Sequence, residues 1–87
     1  MSWFVYMLRC ADDSLYTGYT DDVQRRLAVH CSGKGGKYTR SHLPVTLAYQ
    51  EQLPDKSAAL RRESEIKRMS RKQKLALIAE TETGKES

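Results

Sequence analysis

Trp3-Phe4-Val5-Tyr6-Met7-Leu8-Arg9, then Ala11-Asp12-Asp13-Ser14, then Leu15-Tyr16-Thr17-Gly18-Tyr19: this opening stretch decides the fold. Residues 3–9 are aromatic, aliphatic and β-branched without polar alternation, which reads as a strand buried on both faces. The next four residues are turn chemistry, and residues 15–19 return as a second strand, so the chain opens with a β-hairpin. At this place Asp12 and Asp13 read as turn residues rather than as a metal site.

Working outward, Thr20 or Asp21 is expected to cap a helix with an acidic first turn, running from Val23 to about Cys31 and stopped by Gly33. At about 100° per residue, Val23, Leu27 and His30 share one face and Arg26 lies at its edge, while Arg25 points away. Gly33-Lys34-Gly35-Gly36-Lys37-Tyr38-Thr39-Arg40 reads as a flexible basic loop, without the spacing of a P-loop. Val45, Leu47 and Tyr49 alternate with Thr46, Ala48 and Gln50, as in a third strand. Asp55 or Ser57 opens a second helix that ends near Met69. Ser70 with Gln73 makes a capping box for a third, which turns Leu75, Leu77 and Ile78 inward. The expected fold is α+β: a small, mainly antiparallel three-stranded sheet with helices packed against it. It forms one domain over residues 1–79, and the polar residues 80–87 are expected to be a disordered tail.

Composition narrows the class. Eighty-seven residues suffice for one domain and not for two. No run of about 18 apolar residues is present, so no membrane span is expected. Met1-Ser2-Trp3 lacks the basic flank of a signal peptide, and a cytoplasmic location is the expectation. Cys10 and Cys31 are expected to be free and buried. Together with His30 and His42 they lack the spacing of a zinc site. Residues 33–74 hold eleven Lys or Arg against four Asp or Glu, and the flanking segments hold four against seven. The excess of positive charge in the middle of the chain suits a phosphate-binding face, or simply a solvated basic surface.

On the wheel of the second helix, Glu63 falls between Ala59 and Ile66 on one side and Leu60 on the other. A carboxylate on an apolar face is costly without a partner. It is either stapled by a cation such as Arg26 or Lys67, or held there for chemistry.

The order strand, turn, strand, helix, basic loop, strand, helix, helix now joins these residues. Phe4-Val5-Tyr6 and Tyr16-Thr17-Gly18 resemble the two tripeptides of the GIY-YIG nuclease family. Tyr16 follows Tyr6 by ten residues and Arg26 follows Tyr16 by ten, as in the family pattern. Arg26-Leu27-Ala28-Val29-His30 is similar to its arginine-to-histidine helix segment, and residues 59–67 to its metal-glutamate helix. The stretch 35–51 looks like the small stand-alone bacterial branch, which is similar to the nuclease domain of Holliday-junction and flap endonucleases. Phe4 replaces the first glycine and Thr17 the isoleucine. Tyr19 stands where some repair members carry lysine, and their late asparagine has no clear counterpart.

The resemblance implies a divalent-metal-dependent endonuclease acting on nucleic acid, in the first place DNA, with a role in repair or recombination. The implied catalytic set is Tyr6, Tyr16, Arg26, His30 and Glu63, with Glu63 the protein ligand of a single Mg²⁺ or Mn²⁺. Arg26 would hold a phosphate oxygen. A tyrosine, with a weak preference for Tyr6, would take the proton of the attacking water with help from His30. Lys34, Lys37, Tyr38, Arg40, Arg62 and Lys67 are the expected nucleic-acid contacts. A protein partner supplying substrate specificity is a further expectation. The alternative is a binding module for branched or single-stranded nucleic acid that does not cut. Each residue also has a structural explanation: cross-strand aromatics for the tyrosines, a core imidazole for His30, and an Arg26–Glu63 pair.

Overall fold

The computed structural model describes residues 2–34 and 36–86, with the side chains of Lys37, Tyr38 and residues 81–86 outside the description. The elements are β1 (Trp3–Arg9), β2 (Leu15–Thr20), α1 (Val23–Cys31), α2 (Lys37–Ser41), β3 (Thr46–Leu53), α3 (Lys56–Lys67) and α4 (Arg71–Glu86). The sheet has the order β2-β1-β3, and both pairings are antiparallel. With β1 in the centre, Val5, Tyr6, Met7 and Leu8 are all buried, which is why this strand carries no polar alternation.

Each face of the sheet has its own core. Val5 and Met7 pack with Tyr49, Ala59, Ile66 and Ile78, below α3 and α4. Tyr6 and Leu8 pack with Cys10 and Val45, joined by Tyr16, Leu27, Leu43 and Leu47 on the α1 side. The third strand does not keep the simple alternation expected of it. Met7 pairs with Tyr49 but Leu8 with Leu47, so the register shifts at Ala48. A bulge of one residue reverses the side-chain alternation beyond it. Val45 and Leu47 therefore face α1, whereas Tyr49 faces the α3 side.

The β1–β2 turn holds Asp13 at φ 70°, a conformation that Asp tolerates. The Asp12 carboxylate accepts from the Ser14 backbone N–H at 3.1 Å and from its hydroxyl at 2.6 Å. Asp13 lies 3.1 Å from Arg71 of α4 and ties the turn to it.

The cap of α1 is Asp22, not Thr20 or Asp21, and the first turn of the helix carries no acid. The Asp22 carboxylate accepts from Arg25 N–H at 3.1 Å, while the Thr20 hydroxyl accepts from the Asp22 N–H. Asp55 caps α3 through Ala58 N–H at 2.8 Å. Ser70 and Gln73 bond reciprocally at the start of α4, as the capping box requires.

Part of the expected flexible loop is ordered. Gly33 and Gly36 take positive φ, and residues 37–41 between them and β3 form α2, which buries Thr39. Helical backbone also continues to Glu86, across the stretch read as a tail. Each further residue of an established helix adds one backbone bond at little extra cost. Cys10 is buried and Cys31 exposed, both free. Among the described residues no helix is long and apolar enough to cross a membrane.

Candidate active site

An open cleft of about 460 Å³ lies along the β2 edge of the sheet. Tyr6 comes from β1, Tyr16 and Gly18 from β2, Arg25 and Arg26 from α1, and Glu63 from α3; all six line it. Trp3, Tyr19, Thr20, Asp21 and Val29 complete the wall. Tyr6 and Gly18 are cross-strand partners on one face, and α3 packs on the other. The cleft thus wraps the edge strand, and the Tyr6 ring crosses directly over Gly18 towards it.

Three rings meet at its inner end. Tyr6 and Tyr16 lie 6.5 Å apart between ring centroids, and Tyr16 stands edge-on to His30 at 5.4 Å. His30 is fully buried. Its Nε2 is 3.0 Å from the Tyr6 hydroxyl and its Nδ1 2.8 Å from the Thr39 hydroxyl. Burial pushes the Tyr6 hydroxyl above its ordinary pKa; a hydrogen bond from Arg26 opposes this, and the charges of Tyr16 and Glu63 add to it. His30 is pushed below its ordinary value, first by burial and then by the Arg26 charge. At neutral pH the pair is a phenol facing a neutral imidazole.

Glu63 is not buried in the middle of an apolar face. Only Ala59 and Ile66 of α3 are fully covered, Leu60 is exposed, and the Glu63 side chain keeps 15 % of its surface. Its Oε2 lies 3.7 Å from Lys67 Nζ, one turn along the same helix. The burial anomaly is resolved by position, since the carboxylate borders the cleft.

The structure separates the proposed nucleic-acid contacts. Lys34 and Arg40 are exposed. The side chains of Lys37 and Tyr38 lie outside the described residues. Arg62 is turned elsewhere: its Nε lies 3.0 Å from Glu51, which also accepts from the Tyr49 hydroxyl. Burial and this carboxylate push Tyr49 up to about 12. Arg62 thus fastens α3 to β3, a contact that depends on the bulge, which decides where Tyr49 and Glu51 point. Lys67 borders a second hollow of about 290 Å³ with Leu15, Tyr16, Thr17 and Lys74. Tyr16 lines both spaces. Arg25 does not point away from the site; it is 69 % exposed at the rim, held 3.1 Å from Asp21.

The model of the GIY-YIG catalytic domain matches residues 2–76. The chain belongs to the GIY-YIG family. The UPF0213 protein SH2523 of Staphylococcus haemolyticus is 56% identical over 77 residues, covering 88% of this chain and 94% of that one. A UPF0213 protein of Natronomonas pharaonis is 54% identical over 81 residues, covering 93% and 94%. Two solution structures share the fold. The UPF0213 protein BH0048 of Bacillus halodurans has TM-score 0.59 and 48% identity, covering 91% of this chain and 84% of that one. The protein EF2693 of E. faecalis has TM-score 0.64 and 38% identity, covering 95% and 88%.

Within the GIY-YIG pattern, the departure at Thr17 carries a cost away from the chemistry. Its hydroxyl is buried and has no hydrogen-bond partner among the described residues, where isoleucine would leave nothing unsatisfied. Thr39 belongs to the site and was missed in the sequence, since one threonine in a glycine- and lysine-rich stretch carries no spacing signal.

Proposed function

We propose that this GIY-YIG domain is a divalent-metal-dependent endonuclease that hydrolyses DNA phosphodiesters, in a repair or recombination setting. The observation that carries the reading is the shared cleft: Tyr6, Tyr16, Arg26 and Glu63 reach it from four different elements. A fold built only for binding has no need to bring a half-buried carboxylate beside two phenols and a guanidinium.

Arg26 is a fixed fork of donors at the cleft wall and would grip a non-bridging phosphate oxygen, neutralising charge as the pentavalent state forms. Tyr6 need not become a free tyrosinate, which its raised pKa disfavours. As its oxygen takes a proton from the attacking water, its own proton passes to His30 Nε2, 3.0 Å away. After the attack the extra proton leaves His30 through Tyr6 to a solvent water in the cleft, which resets the pair. Tyr16 packs beside this relay and orders the water or phosphate from the β2 side.

The residues present fit a single hard cation. Glu63 offers one carboxylate, and Lys67, 56 % exposed and 3.7 Å away, can swing into solvent. The described residues hold no group of three or more His, Cys, Asp or Glu, so a closed protein cage is not offered. One carboxylate, with water and phosphate oxygens at the other positions, is how Mg²⁺ is usually held. Bound at Glu63, Mg²⁺ or Mn²⁺ would supply Lewis acidity and stabilise the leaving oxygen.

Substrate would track the positive rim: Arg25 at the cleft, Lys67 and Lys74 in the adjoining hollow, and Lys34 and Arg40 near α2. The Glu63–Lys67 pair favours a second reading, a nucleic-acid-binding module in which Glu63 only steadies α3. Incubation of wild type and Glu63→Ala with labelled branched, nicked and single-stranded DNA in Mg²⁺ or Mn²⁺ separates the two. The nuclease reading expects cutting by wild type alone, whereas binding by both without cutting supports the module.

A further inference from the structure

We propose that Thr39 is a positioning residue that fixes the tautomer of His30 and so enables it to accept the Tyr6 proton. The inference rests on reading the cleft as a nuclease site, and adds a residue that the family pattern of tyrosines, arginine, histidine and glutamate does not contain.

The proposed proton transfer sets which tautomer His30 must hold. A neutral imidazole has one N–H and one bare nitrogen. The Arg26 guanidinium, which acts on the Tyr6 hydroxyl and opposes the rise in its pKa, can only donate. The proposed reaction needs an acceptor for the Tyr6 proton, and the nitrogen 3.0 Å away is His30 Nε2. Nε2 must then be bare and Nδ1 protonated. The Nδ1–H in turn needs an acceptor inside the protein, because His30 has no exposed surface. Thr39 Oγ1, at 2.8 Å, is that acceptor. In the opposite tautomer Nε2–H would donate to the Tyr6 oxygen, the Thr39 hydroxyl would donate to Nδ1, and His30 could not take the Tyr6 proton.

Thr39 is held for this task by its element. It is buried on α2, whose Thr39 carbonyl also accepts from the His42 N–H, while α1 supplies His30 from the facing side. Tyr16 from β2, Arg26 from α1 and Glu63 from α3 are titratable groups that also act on the Tyr6–His30 pair. The segment that the sequence presents as a phosphate-tracking loop thus contributes a buried acceptor to the site.

The test uses Thr39→Val, which keeps the shape and removes the acceptor, and Thr39→Ser, which restores a hydroxyl. The chain has two histidines, so the ¹⁵N signals of His30 are assigned by comparison with His42→Gln. Wild type and Thr39→Ser should show the Nδ1–H tautomer; Thr39→Val should show Nε2–H or a mixture. DNA cleavage by Thr39→Val should fall by about 100-fold or more, the scale of losing general acid–base catalysis, with DNA affinity unchanged and recovery in Thr39→Ser. An Nε2–H tautomer in wild type, or a Thr39→Val protein with unaltered spectrum and rate, would overturn the proposal. A wild type that holds the Nδ1–H tautomer and cuts no DNA would instead overturn the nuclease reading and leave the Thr39–His30 assignment standing.

Discussion

A methyl group built on Gly18 would stand 2.6 Å from the Tyr6 hydroxyl oxygen and 2.8 Å from the ring carbon that bears it. Real side chains do not approach this closely, so Gly18 is what lets Tyr6 cross the edge strand and reach the cleft. The Tyr6 ring cannot step aside freely, because it is buried and bonded to His30. Gly18→Ala should therefore displace the hydroxyl and lower the single-turnover cleavage rate by about tenfold or more, with DNA affinity within about twofold. In a Tyr6→Phe background the same substitution should cost nothing further in rate, since the group it displaces is gone. A full additional loss there would mean that Gly18 acts through something other than Tyr6.

The adjacent arginines separate binding from chemistry. Arg26, inside the cleft and acting on the Tyr6 hydroxyl, should be lost as a rate defect: Arg26→Ala abolishes cutting with little change in affinity. Arg25, at the rim and mostly exposed, should be lost as an electrostatic defect. Arg25→Ala should weaken DNA binding mildly, reduce the slope of affinity against salt by about one counterion, and spare the rate at saturation. Wild-type affinity should itself fall steeply between low and physiological salt. Equal rate losses in the two variants, or a salt-independent affinity, would contradict the assignment.

His30 makes the reaction sensitive to acid. Burial and Arg26 hold its folded pKa below the ordinary value of about 6.5, and only the neutral ring can receive the Tyr6 proton. The rate should be flat at neutral pH and fall with an acid limb whose midpoint lies below about 6.5. The sign for folding is the same. The unfolded chain binds the proton first, so stability is fully present above about 6.5 and is lost as pH falls through the folded value. Melting curves over the same range keep the two effects apart. His30→Gln should be slower throughout and lack the acid limb; an unaltered limb would place the titrating group elsewhere.

How much of this was legible in the sequence depends on how local each feature is. The hairpin, the helices α1, α3 and α4 and the capping box at Ser70 follow from turn chemistry, periodicity and spacing within a few residues. The order Tyr6, Tyr16, Arg26, Glu63 was readable because each residue sits at a fixed place on its own element. What escaped depends on contacts between distant segments. The bulge at Ala48 sends Tyr49 to the face opposite Val45, and with it Glu51 captures Arg62, one of the expected nucleic-acid contacts. Thr39 gains its role only because α2 folds back on His30. Arg25 looked solvated, and is, but the cleft extends to meet it.

Glu63→Gln tests the central claim, that one cleft joins the phenols, the guanidinium and a metal-holding carboxylate. The Glu63–Lys67 contact is a partly exposed pair on one helix, of a kind that contributes about 0.3–0.5 kcal/mol. Its loss should move the melting temperature by no more than about 4 °C. Mn²⁺ titration and DNA cleavage measured on that folded variant beside wild type give the answer. One Mn²⁺ bound and DNA cut by wild type, with both lost in Glu63→Gln at unchanged DNA affinity, is the predicted result. A wild type that binds DNA but neither takes up Mn²⁺ nor cuts, matched by Glu63→Gln in every respect, would contradict it.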